Sequence, residues 1–175
     1  MHTALWGAVL VLAIAAAYTD LRWGKIFNAL TVPFALLGLA LNTLGAGGEG
    51  FLLSVQGLGL GFGLWIISSF LGRIMGGGDI KLLMAFGALQ GPGFLLWTLT
   101  YGALIGGLMA LVVALRRGLL ARTFKSLGTA LYLRAACGTR MEMADPAEAG
   151  GEVRLPYAIA LATGALVTLA VRELL

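Results

Sequence analysis

The sequence predicts an all-α integral membrane protein, and three observations support this prediction. Of its 175 residues, 59% are hydrophobic and only 11% are charged, whereas soluble domains carry roughly 25% charged residues. Apolar runs long enough to cross a hydrocarbon core of about 30 Å recur along the chain. A single topology also places every Lys and Arg except Arg172 on one side of a bilayer.

Six apolar stretches are predicted to be transmembrane helices within one membrane domain, residues 1–175. They span residues 3–19, 29–45, 51–72, 79–90, 93–115 and 155–172. A glycine-rich polar turn at 45–50 and the helix-breaking Gly91-Pro92-Gly93 separate neighbouring stretches. The helix at 79–90 reaches only about 18 Å, so either the bilayer thins locally or, as we favour, the Asp79 end lies in a water-accessible pocket below the membrane surface.

The distribution of charge orients these helices. Basic residues collect in segments 19–28, 73–81 and 116–154, which are therefore predicted to be cytoplasmic. No Lys or Arg precedes the first apolar run, so we expect a retained helix with an outside amino terminus in the plasma membrane. The net charge of +4 is then explained by cytoplasmic loops in contact with a lipid bilayer, and nucleic-acid binding is not expected.

The segment 116–154 contains a predicted amphipathic helix. Leu120, Phe124, Leu127 and Leu131 share one helical face, which is typical of a helix lying on the inner membrane surface. The residues that follow it are polar and loop-like. We expect this region to anchor and orient the protein.

Glycines at G-x-x-x-G spacing allow two interpretations. Such pairs occur at Gly57 and Gly61, Gly59 and Gly63, and Gly102 and Gly106. Small residues let transmembrane helices approach closely, either within the bundle, which we favour, or at a dimer face. A single cysteine, Cys137, and a single histidine, His2, give no pattern for a metal site, and none is predicted.

Two of the three aspartates lie where predicted helices meet the inner membrane face. Asp20 ends the first helix and Asp79 begins the fourth, whereas Asp145 lies in a polar loop. Structural roles are available for both, because Asp79 could cap its helix and Asp20 could pair with Arg22 or Lys25. Acids near membrane depth are nevertheless candidates for function.

Two carboxyl groups at one membrane level can act as an acid–base pair. If they are close, they share one proton, so that one member is a base and the other an acid. The base takes a proton from water as the water attacks a peptide carbonyl, and the acid hydrogen-bonds the carbonyl oxygen. The pair titrates as a unit, and the sequence assigns neither role.

The surroundings of both aspartates resemble the two motifs of the type IV prepilin peptidase and preflagellin peptidase family. The motifs read D-L-R-W-G-K-I-F-N from Asp20 and G-G-G-D-I-K-L-L around Asp79. The resemblance implies a polytopic aspartic endopeptidase of the G-x-G-D type, which cuts the short basic leader of prepilin-like proteins at the cytoplasmic face and needs no cofactor. It implies a catalytic pair, Asp20 and Asp79, and site-shaping or substrate-binding residues, Gly76, Gly78, Lys81, Arg22, Lys25 and Asn28.

The chain departs from the family pattern at two places. Family members commonly have proline where Phe27 stands. Larger members carry a cytoplasmic domain with paired cysteines, linked to methylation, where this chain has only residues 19–27. The chain therefore resembles the short, peptidase-only branch, and methyltransferase activity is not expected.

Two other classes of function fit parts of the sequence. A small ion-coupled transporter could use Asp20 and Asp79 as coupling acids. This interpretation predicts acids nearer the bilayer middle and inverted sequence symmetry, and the sequence shows neither. A noncatalytic assembly scaffold would use the same acids only as helix caps. We favour the peptidase.

Overall fold

The computed structural model describes residues 2–71, 75–116 and 157–174, which form five helices and no strand. The helices are α1 (His2–Trp23), α2 (Asn28–Phe70), α3 (Gly77–Gln90), α4 (Pro92–Arg116) and α5 (Tyr157–Leu174). The all-α class is therefore confirmed. The predicted amphipathic helix, Cys137 and Asp145 lie outside the described residues.

Three of the described helices have the length and apolar character of membrane-spanning segments. Within the described residues, α1, α2 and α4 are long and apolar enough to cross a bilayer, and α5 is a shorter apolar helix. Ile14, Leu36 and Ile67 are each more than half exposed, and many other large apolar side chains also face outward. A surface of this kind requires a lipid environment, so the fold is that of a membrane protein.

The chain divides into two compact units. One comprises Met1–Gly106 and Pro156–Leu175, and the other comprises Gly107–Leu155. All contacts discussed below belong to the first unit. In the second, the structure describes residues 107–116, which continue α4. The single peptidase domain expected over residues 1–175 stays a prediction.

The long helix α2 is bent back on itself. Its helical conformation is interrupted at Ala46 (φ −131°) and Gly47 (φ +58°), a left-handed conformation that favours glycine. Across this break, Asn42 Nδ2 donates a hydrogen bond of 2.9 Å to Ser54 Oγ, although a straight helix would separate the two residues by about 18 Å. The turn predicted at 45–50 is thus narrower than expected, and its two arms correspond to the predicted helices 29–45 and 51–72.

Helix α3 is the centre of the bundle. Most of its residues from Ile80 to Gln90 are buried, on all sides of the helix, as expected for a helix that is apolar all round. Asn42 Nδ2 donates to the carbonyl oxygens of Ala88 and Leu89, each at 3.1 Å, and Ser54 Oγ donates to Ala88 O at 2.8 Å. These bonds attach both arms of α2 to the carboxyl-terminal half of α3.

Glycines bring α2 and α3 into backbone contact. A Cβ atom at Gly57 would overlap the carbonyl group of Gly87, and one at Gly61 would come within 2.5 Å of the Met84 side chain. At Gly59, by contrast, a Cβ atom would meet nothing within 4 Å. For Gly57 and Gly61, the structure therefore confirms internal packing.

Helices α4 and α5 meet through glycines in the same way. A Cβ atom at Gly102 would come within 2.8 Å of Leu161 Cδ2, and one at Gly164 would come within 2.6 Å of the Gly102 nitrogen. Near the start of α5, Gly106 leaves space for the ring of Tyr157. This packing fixes the position of the first residues of α5, which also contact Asp20.

Candidate active site

Asp20 lies within the last turn of α1. The predicted helix end at residue 19 is wrong, because α1 continues to Trp23 and only then gives way to Gly24 (φ +60°). The Gly24 N–H donates to the carbonyl oxygen of Asp20 at 2.8 Å. The connection to α2 therefore comprises residues 24–27 and not the longer stretch 19–27.

The start of α5 supplies a hydrogen bond to the side chain of Asp20. The backbone N–H of Ala158 donates to Asp20 Oδ2 at 3.1 Å. The first N–H groups of a helix have no partners within the helix, and the local field there favours negative charge. Sequence reasoning missed this contact, although it could have been suspected because the predicted helix 155–172 starts at the same membrane level as Asp20.

Asp79 is the third residue of α3 and does not cap it. The capping position belongs to Gly76 (φ −61°, ψ 139°), and no side chain hydrogen-bonds the helix start there. The interpretation of Asp79 as a capping residue is therefore wrong. Its carboxylate lies over Gly76, where a Cβ atom would come within 2.9 Å of Asp79 Oδ2.

One cavity brings the end of α1 and the start of α3 together. Its volume is about 310 Å³, and it is lined by Asp20, Gly24, Lys25, Ile26, Gly76, Gly77, Gly78 and Asp79. Five of these residues were named from the sequence as candidates, whereas Gly24, Ile26 and Gly77 were not. Within the part of the chain that the structure describes, no group of three or more His, Cys, Asp or Glu residues could hold a metal ion.

The electrostatics of the cavity favour a proton on Asp79. Burial, first, and the negative charge of Asp20, second, raise the pKa of Asp79 from 3.8 to about 6. Its place in the first turn of α3 acts in the opposite direction, since helix amino termini stabilise carboxylates. The two raising effects are the larger ones, so Asp79 holds a proton more readily than an ordinary carboxyl group does.

The remaining candidate residues lie around the cavity without lining it. Lys81 Nζ donates to Asn28 Oδ1 at 2.8 Å, which ties the start of α3 to the start of α2. Both side chains are exposed. The guanidinium of Arg22 lies 5.5 Å from the ring centroid of Trp23, in a cation–π arrangement.

Three exposed aromatic side chains surround the last turn of α1. The rings of Tyr18 and Trp23 meet edge to face at 5.9 Å, and those of Trp23 and Phe27 do so at 5.7 Å. Tyr and Trp collect where a bilayer meets water, because their rings are apolar and their tips are polar. This cluster is typical of a membrane interface at the level of Asp20.

The fold and cavity together describe a helical membrane protein in which two carboxyl groups line one cavity. The family model described as the type IV leader peptidase family matches residues 7–111, more than half of the chain, including Asp20 and Asp79. The chain therefore belongs to the type IV leader peptidase family, which implies a peptidase. It matches no curated protein and no solved structure.

Proposed function

We propose that the protein is a membrane-embedded aspartic endopeptidase that removes the short basic leader of prepilin-like proteins at the cytoplasmic face of the plasma membrane. The observation that carries this proposal is the shared cavity of Asp20 and Asp79, in which the charge of Asp20 acts on Asp79. Family membership supports peptide hydrolysis in general. The paired carboxyl groups support the aspartic type.

The proposed reaction divides acid and base work between the two residues. Asp20 accepts a proton from a water molecule while the water oxygen attacks the carbonyl carbon of the scissile peptide. Protonated Asp79 donates its hydrogen to the carbonyl oxygen, which becomes a hydroxyl of the tetrahedral intermediate. When the C–N bond breaks, the nitrogen takes the proton held by Asp20, and Asp79 recovers its proton from the hydroxyl.

The glycines beside Asp79 suit the approach of an extended peptide. Gly76 and Gly77 are exposed and line the cavity without side chains to obstruct a substrate backbone. Gly78 packs close to Ile26, where a Cβ atom would come within 3.2 Å of the Ile26 Cβ atom. A larger residue at Gly76 would meet the Asp79 carboxylate, so we assign Gly76 and Gly78 a site-shaping role.

The cations near the cavity have supporting roles in this proposal. Lys25 lines the cavity and is placed to contact the substrate. Lys81, through its hydrogen bond to Asn28, holds the helix start that presents Asp79. Arg22, stacked on Trp23, anchors the end of α1 at the membrane surface.

The proposed membrane arrangement has six crossings: α1, the two arms of α2, the apolar part of α3 that follows Asp79, α4 and α5. The aromatic cluster around α1 supports an interface at the level of Asp20. Arg22, Lys25 and Lys81 surround that end, whereas Arg172 lies at the opposite end of α5. The positive-inside rule then assigns the cavity to the cytoplasmic side.

A cleavage assay with purified wild-type protein tests this function. The substrate is a prepilin-like protein with a short basic leader before its hydrophobic helix, and the reaction contains no added metal or S-adenosylmethionine. We expect one cut between leader and helix, located by mass spectrometry of both fragments. Exchange of the basic residues in the leader for Gln should slow the cut, because two acidic side chains, Asp20 and Asp79, line the cavity.

The same preparation distinguishes the peptidase from a transporter. After reconstitution into vesicles, a transporter would carry ions across the bilayer in a manner that depends on Asp20 and Asp79. Ion flux of this kind, together with an intact leader after prolonged incubation, would contradict the proposed function. Cleavage without such flux supports it.

A further inference from the structure

A second cavity lies at the end of the bundle opposite Asp79. Its volume is about 310 Å³, and it is lined by Leu5, Trp6, Asn42, Leu53, Leu89, Gln90 and Arg172. Gln90 is the last residue of α3 and Asp79 lies in its first turn, so about 17 Å of helix separate the two residues. The cavity is therefore distinct from the one that Asp20 and Asp79 line.

The polar side of this second cavity is formed by Arg172 and Gln90. Arg172, in the last turn of α5, donates a hydrogen bond of 3.3 Å from Nη1 to Gln90 Oε1. An arginine side chain can only donate, so the atom that faces it must be the amide oxygen. The orientation of the Gln90 amide is thereby fixed, and its Nε2 group is left as a donor that Arg172 cannot use.

The Nε2 group of Gln90 is buried and lacks an acceptor. Gln90 is only 8% exposed, and among the described residues no oxygen accepts a hydrogen bond from Nε2. A buried donor without a partner is costly, so its place in the wall of a cavity requires an explanation. The carboxyl end of a helix favours a cation, which explains Arg172 but not the amide beside it.

The donors of the cavity define the charge and shape of a ligand. One donor group is a guanidinium and another is an amide, and no carboxyl group of the described residues lines the cavity. A guanidinium binds the oxygens of a phosphate or carboxylate through two parallel hydrogen bonds. The cavity volume is far above the roughly 10–15 Å³ that a single water molecule needs, so an anion of several atoms fits.

The apolar side of the cavity favours a phospholipid as the source of that anion. Leu5, Trp6, Leu53 and Leu89 form this side. Leu53 is 41% exposed, and it lies on α2, which is apolar and long enough to cross a bilayer. At the end of such helices, lipid phosphate groups and the first carbons of the acyl chains lie next to each other. One lipid can therefore meet both sides of the cavity.

We propose that this cavity binds a phosphate group, held by Arg172 and by the Nε2 group of Gln90, and that a phospholipid headgroup is its source. In the membrane arrangement proposed above, the lipid belongs to the outer leaflet. The Gln90 donor gains its missing acceptor, and Arg172 gains a counter-charge. The inference does not depend on the proposed peptidase function, because the cavity shares no residue with the candidate active site.

Thermal unfolding of the full chain in phosphate-free detergent and buffer tests the proposal with three probes. They are short-chain phosphatidylglycerol, diacylglycerol with the same chains, and inorganic phosphate. A ligand of the folded state raises Tm, so we expect a rise with phosphatidylglycerol and none with diacylglycerol. An equal rise with inorganic phosphate would support the phosphate site and contradict the lipid as its source. Equal shifts with both lipids would show that only the chains bind and would overturn the proposal.

Two variants of the cavity and one matched control assign the effect to these residues. Arg172→Gln should raise the Kd for phosphatidylglycerol about tenfold, because one charge-assisted donor is lost. Gln90→Glu keeps the shape of the side chain, pairs with Arg172 and repels phosphate, so it should lose the lipid-dependent shift without a lower Tm in lipid-free detergent. Arg116→Gln, at the exposed end of α4, should keep the wild-type shift.

Two results with these variants would overturn the proposal. If Arg116→Gln loses as much of the shift as Arg172→Gln, the lipid is attracted by overall positive charge and not by a built site. If Gln90→Glu responds to phosphatidylglycerol like wild type, the amide does not contact the phosphate. The lipid-free Tm of each variant shows that it is folded, and Gln90→Glu provides the decision if Arg172→Gln is not.

Discussion

The backbone N–H of Ala158 donates a hydrogen bond to the carboxylate of Asp20, and so joins the last helix of the described chain to the first. This contact orients one acid, while the start of α3 presents the other across the same cavity. The candidate site therefore depends on three helix ends meeting at one level.

The first prediction concerns the pH dependence of cleavage. The active pair must hold one proton, and the pKa of Asp79 is raised to about 6 by burial and by Asp20. As pH rises through this value, free enzyme loses the proton that serves as the acid, so kcat/KM should fall. A bound peptide excludes water from the cavity. The corresponding fall of kcat should therefore occur at higher pH than the fall of kcat/KM.

Initial rates measured from about pH 4 to about pH 9 at low and at saturating substrate check this prediction. A value of kcat/KM that still increases above pH 7 would show that a proton on Asp79 is not required. The Tyr101→Phe variant serves as a control. Its substitution lies on α4 beside Trp97 and should leave the pH profiles of kcat/KM and kcat unchanged.

The second prediction concerns stability. Asp79 has a higher pKa in the folded protein than its ordinary value of 3.8, so the folded state binds the proton more tightly than the unfolded state does. The resulting stabilisation is fully present below about pH 3.8 and is lost as pH rises through about 6. Wild-type Tm should therefore decrease over this range relative to the Tm of Asp79→Asn.

Thermal unfolding of both proteins in the same detergent and buffers measures that difference. Asn cannot ionise, so the Tm curve of Asp79→Asn lacks this contribution. The Tm of Asp79→Asn minus the Tm of wild type should therefore be larger at neutral pH than at low pH. Glu49→Gln, at an exposed position of α2, is a matched control that should follow wild type. Parallel Tm curves for wild type and Asp79→Asn would contradict a raised pKa.

The sequence predicted that Asp20 and Asp79 lie at one level, and in the structure both residues line one cavity. Asp20 and Asp79 each stand beside a helix end, and charge alone indicated that both ends face the same side. The cap expected from Asp79 is absent because α3 begins at Gly77, which leaves the capping position to Gly76, three residues before Asp79. A cap preference favours Asp over Gly only weakly, so a glycine can take the capping position.

The contacts made by α5 could not be predicted from local patterns. The Ala158 N–H belongs to the backbone, and its use by Asp20 depends on how the last helix packs against the first. The same holds for Tyr157, whose ring stands where another helix has glycine at residue 106. Hydrophobic periodicity predicts that such helices exist. The face with which each helix packs is set by contacts between residues that are distant in sequence.

The third prediction concerns the polar network between α2 and α3. Asn42→Leu removes the donor to the carbonyl oxygens of Ala88 and Leu89. A buried acceptor left without a partner costs about 1–3 kcal/mol, so the free energy of unfolding should decrease by about that amount. Gln56→Leu, an amide exchange at an exposed position of the same helix, should change it little.

Thermal or denaturant unfolding of the detergent-solubilised variants measures the difference between them. Equal stability of Asn42→Leu and Gln56→Leu would show that the amide network does not hold α3 in place. Cleavage activity should decrease with the stability of Asn42→Leu but recover at lower temperature, because the network lies at the end of α3 far from Asp79.

The fourth prediction concerns the glycine contact between α2 and α3. Gly57→Ala places a methyl group against the carbonyl of Gly87 and forces the helices apart, at a cost of about 1–3 kcal/mol. Gly59→Ala adds the same methyl group where nothing lies within 4 Å. The second variant should be as stable as wild type or slightly more so, because Ala favours helix.

The two melting temperatures decide this prediction. A lower Tm for Gly57→Ala alone supports the backbone contact between the helices. If both variants melt like wild type, the close packing of α2 on α3 is wrong, and with it the placement of the helix that presents Asp79.

The central claim is that Asp20 and Asp79 act together on one peptide bond, and leader cleavage by their Asn variants tests it most directly. Purified Asp20→Asn and Asp79→Asn should each cut a prepilin-like substrate at least about 10³-fold more slowly than wild type, with Glu49→Gln unaffected and all variants folded. Cleavage at the wild-type rate by either Asn variant would contradict the account.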